Sequence, residues 1–163
     1  MCNQGDMQSP IDLTHKRVRT TSLLGRLDRD YKPANTTLIN RGHDMMMDKR
    51  SWPYSDIHIN GTKYRLNQAH WHTPTEHTIN GRRFNLELHL VHQSIDAKVA
   101  VVGILYKIGR PDSFLATVST VSREQLRIIR EAFHDEANAK ARPVQALNNR
   151  WLKLYRPDDD ETN

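Results

Sequence analysis

The sequence has almost no cysteine and no long apolar run, and each absence excludes a class of protein. One cysteine, Cys2, occurs among 163 residues, which excludes an intrachain disulfide and a cysteine-rich metal site. No stretch of about 18 apolar residues occurs, so no membrane-spanning helix is expected. No signal peptide is visible. The glycine-rich phosphate loop, the dinucleotide fingerprint and the Gly-x-Ser-x-Gly nucleophile motif are also missing.

Acidic residues are outnumbered by basic ones, and four of the 19 lie together near the C-terminus. The chain carries 24 Lys and Arg against 19 Asp and Glu, a net charge of +5, and residues 158–161 are all acidic. The densest basic cluster, residues 15–19, comes with no nucleic-acid-binding signature, so we expect no nucleic-acid partner. The length corresponds to about one domain. We assign that domain to residues 1–157 and treat 158–163 as an acidic tail.

Turn signals between short alternating segments predict a mainly β protein. Asn60-Gly61 separates residues 56–59 from 62–66, and this dipeptide is a strong hairpin signal because both residues tolerate positive φ. Asn80-Gly81 predicts a second hairpin that leads into a long strand over residues 84–92.

The remaining periodicity predicts a buried strand and one helix. Residues 99–106 are almost continuously apolar, which is typical of a central strand buried on both faces. Ser122 and Gln125 fit a capping box, and the apolar residues that follow share one helical face. A short strand is expected over 151–155. The predicted fold class is therefore mainly β with one peripheral helix.

Nine histidines are present, and the spacing of three of them points to a metal site. His70 and His72 share one face of a predicted strand with Gln68, and His89 shares a face of the next strand with Glu87. Antiparallel pairing of the two strands would bring the three imidazoles together. Three imidazoles and an open position are typical of catalytic zinc. The ring nitrogen of each ligand that does not bind the metal usually donates to an amide, a carbonyl or a carboxylate. Partly buried, hydrogen-bonded histidines without a metal are the alternative.

Several segments resemble α-class carbonic anhydrases. The central match is Gln-Ala-His-Trp-His-Thr-Pro-Thr-Glu-His at 68–77, followed by Glu-Leu-His-Leu-Val-His at 87–92. The flanking matches are Gln-Ser-Pro-Ile-Asp at 8–12, Asn-Arg-Gly-His at 40–43, Ala-Arg-Pro-Val-Gln at 141–145 and Asn-Asn-Arg at 148–150. Residues 24–27 and 106–110 look most like the plant branch, which includes the dioscorin storage proteins. The resemblance implies a central, twisted, largely antiparallel sheet.

The resemblance also implies a role for each residue of the metal site. His70, His72 and His89 would bind Zn²⁺, Gln68 would orient His70, and Glu87 would orient His89.

Four further residues match the family's substrate and proton pathways. Val91 and Val101 match positions that line the apolar CO₂ pocket, and His43 matches the proton shuttle. Glu76 matches the buried acid that orients a gatekeeper threonine. The implied activity is that of a lyase that converts CO₂ reversibly to bicarbonate.

The sequence departs from the family between residues 113–116 and 117–120. Family members carry a long insert here, which includes a core strand and the Leu-Thr-Thr-Pro-Pro-Cys motif. That motif supplies the gatekeeper threonine and the cysteine that would pair with Cys2. We therefore expect an incomplete sheet with an exposed edge, and zinc binding that outlasts efficient catalysis.

Two function classes remain open on the sequence alone. The first is a zinc-dependent carbonate dehydratase, weakened by loss of the threonine segment. The second is a non-catalytic relative of the storage or carbohydrate-binding type, and a zinc-stabilised fold without turnover is a further variant. The family and two glycosylation triplets, at Asn35 and Asn60, favour a secreted or plastid location. The oligomeric state is left open.

Overall fold

The fold is described from a computed structural model of the chain. It covers residues 5–21, 23–24, 27–32, 35–41, 44–47, 55–110, 119–132 and 141–155. The strands are β1 (Val18–Thr20), β2 (Asp28–Asp30), β3 (Leu38–Asn40), β4 (Met45–Met47), β5 (Asp56–Ile59), β6 (Thr62–His72), β7 (Leu86–Ser94), β8 (Val99–Ile108), β9 (Ser119–Val121) and β10 (Leu152–Leu154). The helix α1 spans Arg123–Ala132. Within these ranges, no helix has the length and apolarity that a bilayer crossing requires.

One large sheet carries most of the described structure, so the predicted mainly β class is confirmed. Its main path is β2-β5-β6-β7-β8-β9, and β4 pairs with both β3 and β6. All of these pairings are antiparallel except that of β8 with β9. A separate two-stranded parallel sheet joins β1 to β10, and the predicted short strand near 151–155 is therefore present.

The two Asn-Gly turns form, but only the first joins two long strands. Asn60 and Gly61 both have positive φ and connect β5 to β6 in register. Asn80 and Gly81 also have positive φ, yet their turn is closed by the single Ile79–Arg82 bridge. The strand expected from residue 84 begins instead at Leu86, because its ladder partners are β6 and β8 rather than the segment before the turn.

The helix begins as the sequence predicts. The backbone N–H of Gln125 donates to Ser122 Oγ at 3.0 Å, and the backbone N–H of Ser122 donates to Gln125 Oε1 at 3.0 Å. This is the reciprocal pattern of a capping box. Leu126 is buried and packs with Leu86 of β7, so the apolar face of α1 covers one end of the sheet.

The prediction that residues 99–106 are buried on both faces is wrong. The core cluster of Ala69, Leu88, Leu90 and Ile104 lies on one side of the central strands. The other face of β8 is open at its beginning, where Val99 is 61% and Val101 is 54% exposed. An apolar run indicates burial but not how many faces are covered, and no described element packs over this part of β8.

Candidate metal centre

The pairing of β6 with β7 brings the three predicted histidines together. His70 lies directly opposite His89, and His72 lies opposite Glu87. One ring nitrogen from each of the three histidines lies within 4.8 Å of the others. The ring centroids are 5.0–5.2 Å apart. Strand parity places His70 and His72 on one face, and the antiparallel register then adds His89 to it.

The spacing of the ring nitrogens fits a tetrahedral zinc ion. His89 Nδ1 lies 3.3 Å from His70 Nε2. Two nitrogens bound to one tetrahedral zinc at about 2.0–2.1 Å would lie about 3.3–3.4 Å apart. The side chains of His72 and His89 are only 12% and 11% exposed. The donor set is therefore compact and of the type that zinc prefers.

Burial keeps two of these imidazoles in the form that binds metal. Burial, together with the neighbouring His72 and His89, lowers the pKa of His70 to about 4. Burial also lowers the pKa of His72, against the opposing effect of Glu76. Both rings are therefore neutral at pH 7, and a metal ion would not have to displace a proton from them.

Glu87 fixes the orientation of His89. Its Oε1 lies 2.8 Å from His89 Nε2, so this nitrogen donates the bond and Nδ1 is left free for a metal. The backbone N–H groups of Glu76 and His77 donate to Oε2 at 2.8 and 2.9 Å. Burial by itself would raise the pKa of Glu87, but the bonds from His77 and His89 hold it well below its usual range.

His77 is a neighbour of the site that the sequence analysis did not assign. Its Nδ1 lies 2.6 Å from Glu87 Oε1, the same oxygen that faces His89. The three side chains form a second close group of metal-ligating residues, held by the shared carboxylate. His77 lies in the loop between β6 and β7, so strand parity could not place it. The sequence signal for His77 was its position within residues 68–77, the segment that resembles the carbonic anhydrase motif.

Gln68 contacts Arg41 in the structure, and the described residues show no hydrogen bond between Gln68 and His70. With its amide oxygen toward Arg41, Gln68 accepts from the guanidinium at 2.7 and 3.2 Å. Arg41 Nε also donates to Asp44 Oδ1 at 2.7 Å, and its NH2 pairs with Oδ2. Asp44 is 2% exposed. The sequence predicts that Gln68 shares the face of His70, but not that an arginine from the segment before β4 reaches its oxygen.

Glu76 lies beside the cluster and contacts the C-terminal segment. Its Oε2 is 3.6 Å from His72 Nε2, and its Oε1 accepts from the backbone N–H of Arg142 at 3.1 Å. The loop after β6 and the segment from residue 141 are therefore joined at the edge of the site.

The two predicted pocket valines lie on the histidine face. Val91 is directly opposite Val101 in the β7–β8 register, and Val91 follows His89 by two residues. Val91 is half-buried, whereas Val101 is largely exposed. His43, the predicted proton shuttle, lies outside the described residues, as does Cys2.

Comparison with known proteins places these features in one family. The sequence model of eukaryotic-type carbonic anhydrase matches residues 1–120. Alpha carbonic anhydrase 7 of Arabidopsis thaliana is 42% identical over 213 residues, covering 96% of this chain and 77% of that protein. Dioscorin DB3L of Dioscorea polystachya is 42% identical over 128 residues, covering 76% of this chain and 47% of that protein.

The structural comparison agrees. The crystal structure of dioscorin complexed with ascorbate superposes with a TM-score of 0.81 at 30% identity, covering 94% of this chain and 89% of that chain. The alignment with alpha carbonic anhydrase 7 spans 213 positions, 50 more than the 163 residues here, so at least 50 of its positions have no counterpart in this chain.

Proposed function

The chain belongs to the eukaryotic-type carbonic anhydrase family, and we propose from this premise that it is a zinc-dependent carbonate dehydratase. In this proposal it reversibly hydrates CO₂ to bicarbonate. The observation that carries the proposal is the convergence of His70, His72 and His89, whose ring nitrogens lie within 4.8 Å of one another. An apolar face beside a three-histidine site is suited to a small apolar substrate.

His70, His72 and His89 would hold the zinc ion. A zinc ion held there would supply a nucleophile at neutral pH by lowering the pKa of a bound water to about 7, a magnitude known from carbonic anhydrases themselves. Glu87 holds His89 in the tautomer whose Nδ1 is available, because His89 Nε2 donates to its carboxylate at 2.8 Å.

The remaining site residues would handle the substrate and the proton. Val91 and Val101 offer an apolar wall two residues from His89, which would receive CO₂ and exclude water. His43 would carry the proton away, since an unperturbed imidazole titrates near pH 6.5. Glu76, whose Oε2 lies 3.6 Å from His72 Nε2, would correspond to the acid that orients the gatekeeper threonine in the family.

The missing segment predicts weak turnover. The threonine that family members place next to Glu76 has no counterpart in this sequence. Loss of one positioned hydrogen-bond donor costs roughly 10²–10³ in rate. Binding of zinc needs the three histidines and the Glu87 that orients His89, none of which lies in that segment, so it should persist.

A CO₂ hydration assay tests the proposal. We expect the zinc-loaded chain to hydrate CO₂ above the buffer rate in stopped-flow, to lose this activity with a chelator and to regain it with Zn²⁺. His89→Ala should be inactive, while His58→Ala, a histidine of β5 outside the cluster, should behave as the unmodified chain. A zinc-loaded chain with no chelator-sensitive hydration would contradict the proposal.

A second candidate function is a non-catalytic one of the dioscorin type. The similarity to dioscorin, with a TM-score of 0.81 and 30% identity, favours it. This reading predicts no hydration and measurable binding to a glycan array. If the chain binds zinc but shows neither CO₂ hydration nor glycan binding, the remaining interpretation is a fold that zinc stabilises without turnover.

A further inference from the structure

Strand β8 is paired along most of one edge and along only a short part of the other. β7 pairs with its first eight residues, from Val99 to Tyr106. On the opposite edge, β9 pairs only with the stretch that begins at Tyr106 and ends at Ile108. Within the ranges that the structure describes, no strand pairs with residues 99–105 on that edge. Every second residue of this stretch directs its N–H and C=O groups away from β7, and a further strand could bond these groups.

Among the residues that the structure describes, this edge has none of the features that usually protect an exposed edge. Residues 99–105 contain no charge and no proline, and the first charged neighbours are Lys98 and Lys107. Val99 and Val101 are 61% and 54% exposed. Proteins normally block such an edge with lysine, proline, a bulge or a covering segment. An uncharged edge flanked by exposed valines favours another uncharged strand as its occupant.

We propose that a second copy of this chain pairs with the edge, so that the two β8 strands run antiparallel across a twofold axis. The free stretch is centred on Val102, which places Val99 opposite the partner's Leu105 and Val101 opposite the partner's Gly103. If the partner strand were shifted by two residues so that more residues paired, it would occupy the edge positions that β9 already fills. The edge therefore admits one long register, which uses all seven residues.

The charges at the ends of the strand are compatible with this register. In this register Lys98 and Lys107 fall outside the paired residues, because Tyr106, Lys107 and Ile108 of each copy stay paired with their own β9, so the lysines do not face each other across the axis. Lys98 is also paired with Asp96 at 2.6 Å. Both copies use the same surface, so the assembly closes as a dimer rather than growing into a filament.

The paired edge would lie next to the metal centre. A Cβ on Gly103 would be 3.4 Å from Glu87 Oε1, which shows how closely β8 passes the carboxylate. Val101 belongs to the face that carries the histidines. The second copy would therefore extend the apolar face at Val99 and Val101, which no element of the described residues covers in a single copy. This inference rests on the sheet edge and is independent of the proposed activity.

Two measurements on the full chain test the dimer. Sedimentation over a concentration series should show a monomer–dimer equilibrium, and Val99→Lys should weaken the dimer at least tenfold. Ile128→Lys, at a residue of α1 that is 54% exposed against 61% for Val99, is the matched control and should leave the dimer unchanged. Amide hydrogen exchange of residues 99–105 should slow as the protein concentration rises.

Several results would contradict the proposed dimer. A monomer at all concentrations would overturn it, as would a dimer whose concentration-dependent protection lies outside residues 99–105. Open-ended oligomers, or a different protein strand bound to the edge of a monomer, would also contradict a twofold pair. If Val99→Lys fails to fold by circular dichroism, the exchange measurement on the unmodified chain decides the question.

Discussion

At the scale of single residues, Glu87 connects the histidine cluster to the loop after β6. It accepts hydrogen bonds from two backbone N–H groups and lies within bonding distance of His77 and His89. It is also completely buried. A buried carboxylate is tolerated only when its oxygens are satisfied, so the charge on Glu87 and the arrangement of its donors depend on each other.

Replacing this carboxylate should weaken zinc binding more than it disturbs the fold. We expect Glu87→Gln to reduce zinc affinity about 10–100-fold, because the amide cannot accept all of these bonds and His89 loses its orienting charge. Competition with a coloured chelator measures the affinity. Glu124→Gln, on the exposed face of α1, is the control and should have no effect. Equal affinities for Glu87→Gln and the unmodified chain would contradict the assigned role.

The lowered histidine pKa values predict acid sensitivity of the metal-free protein. Burial lowers the pKa of His70 to about 4 and also lowers the pKa of His72 and His92. Between about pH 6.5 and pH 4 the unfolded chain binds protons that the folded chain does not. The free energy of unfolding should therefore fall as the pH falls through this window.

Urea unfolding of the metal-free chain at pH 7.5 and pH 5 measures this effect. His70→Gln should show a smaller difference between the two pH values, because one of the contributing groups has been removed. Glu87, whose pKa is lowered, contributes to the pH dependence only below its unfolded value of about 4.5. Equal unfolding free energies at the two pH values would contradict the assignment.

The sequence identified the zinc-type donors because strand parity is a local property. His70 and His72 lie two residues apart on one strand and therefore share a face. His89 joins them once its strand pairs antiparallel with theirs. The contact of Gln68 with Arg41 and that of His77 with Glu87 depend on loops. Loop paths have no sequence period, so these two contacts could not be predicted.

At the scale of elements, the β5–β6 hairpin sets the register that carries the first two histidines. Asn60 and Gly61 have φ values of 50° and 76°, a conformation that most side chains disfavour. Because β6 is one continuous strand from Thr62 to His72, this turn lies at one end of the strand that positions the site at its other end.

A substitution at Gly61 should lower the stability only because a side chain disfavours the backbone conformation of this turn. We expect Gly61→Ala to lower the free energy of unfolding by about 1–2 kcal/mol, because its Cβ would meet no atom within 4 Å while its φ stays positive. Asn60→Gly should be neutral or slightly stabilising. Urea denaturation followed by tryptophan fluorescence measures both changes. An unchanged Gly61→Ala protein would show that the turn is not held in this conformation.

The capping box and β8 show what sequence pattern can and cannot establish at this scale. Ser122 and Gln125 lie three residues apart and form the predicted bonds. The burial of β8 depends on which elements pack over it, and the apolar run carries no information about those elements. The missing family segment was the better guide, since it predicted an exposed sheet edge.

At the scale of the whole molecule, the chain keeps the family sheet around the histidines while lacking at least 50 positions of a relative. The retained strands β6 and β7 hold all three candidate ligands. The open edge of β8 lies beside them and is where a second copy is proposed to bind. The proposed function therefore separates zinc binding, for which the three histidines are present, from efficient catalysis, which we expect to be weakened without the threonine segment.

A calorimetric zinc titration of the metal-free chain tests the central claim most directly. The account predicts one zinc per chain, lost in His70→Ala, His72→Ala and His89→Ala and retained in His58→Ala. A chain that binds no zinc, or binds it equally well after His89→Ala, would contradict the three-histidine centre.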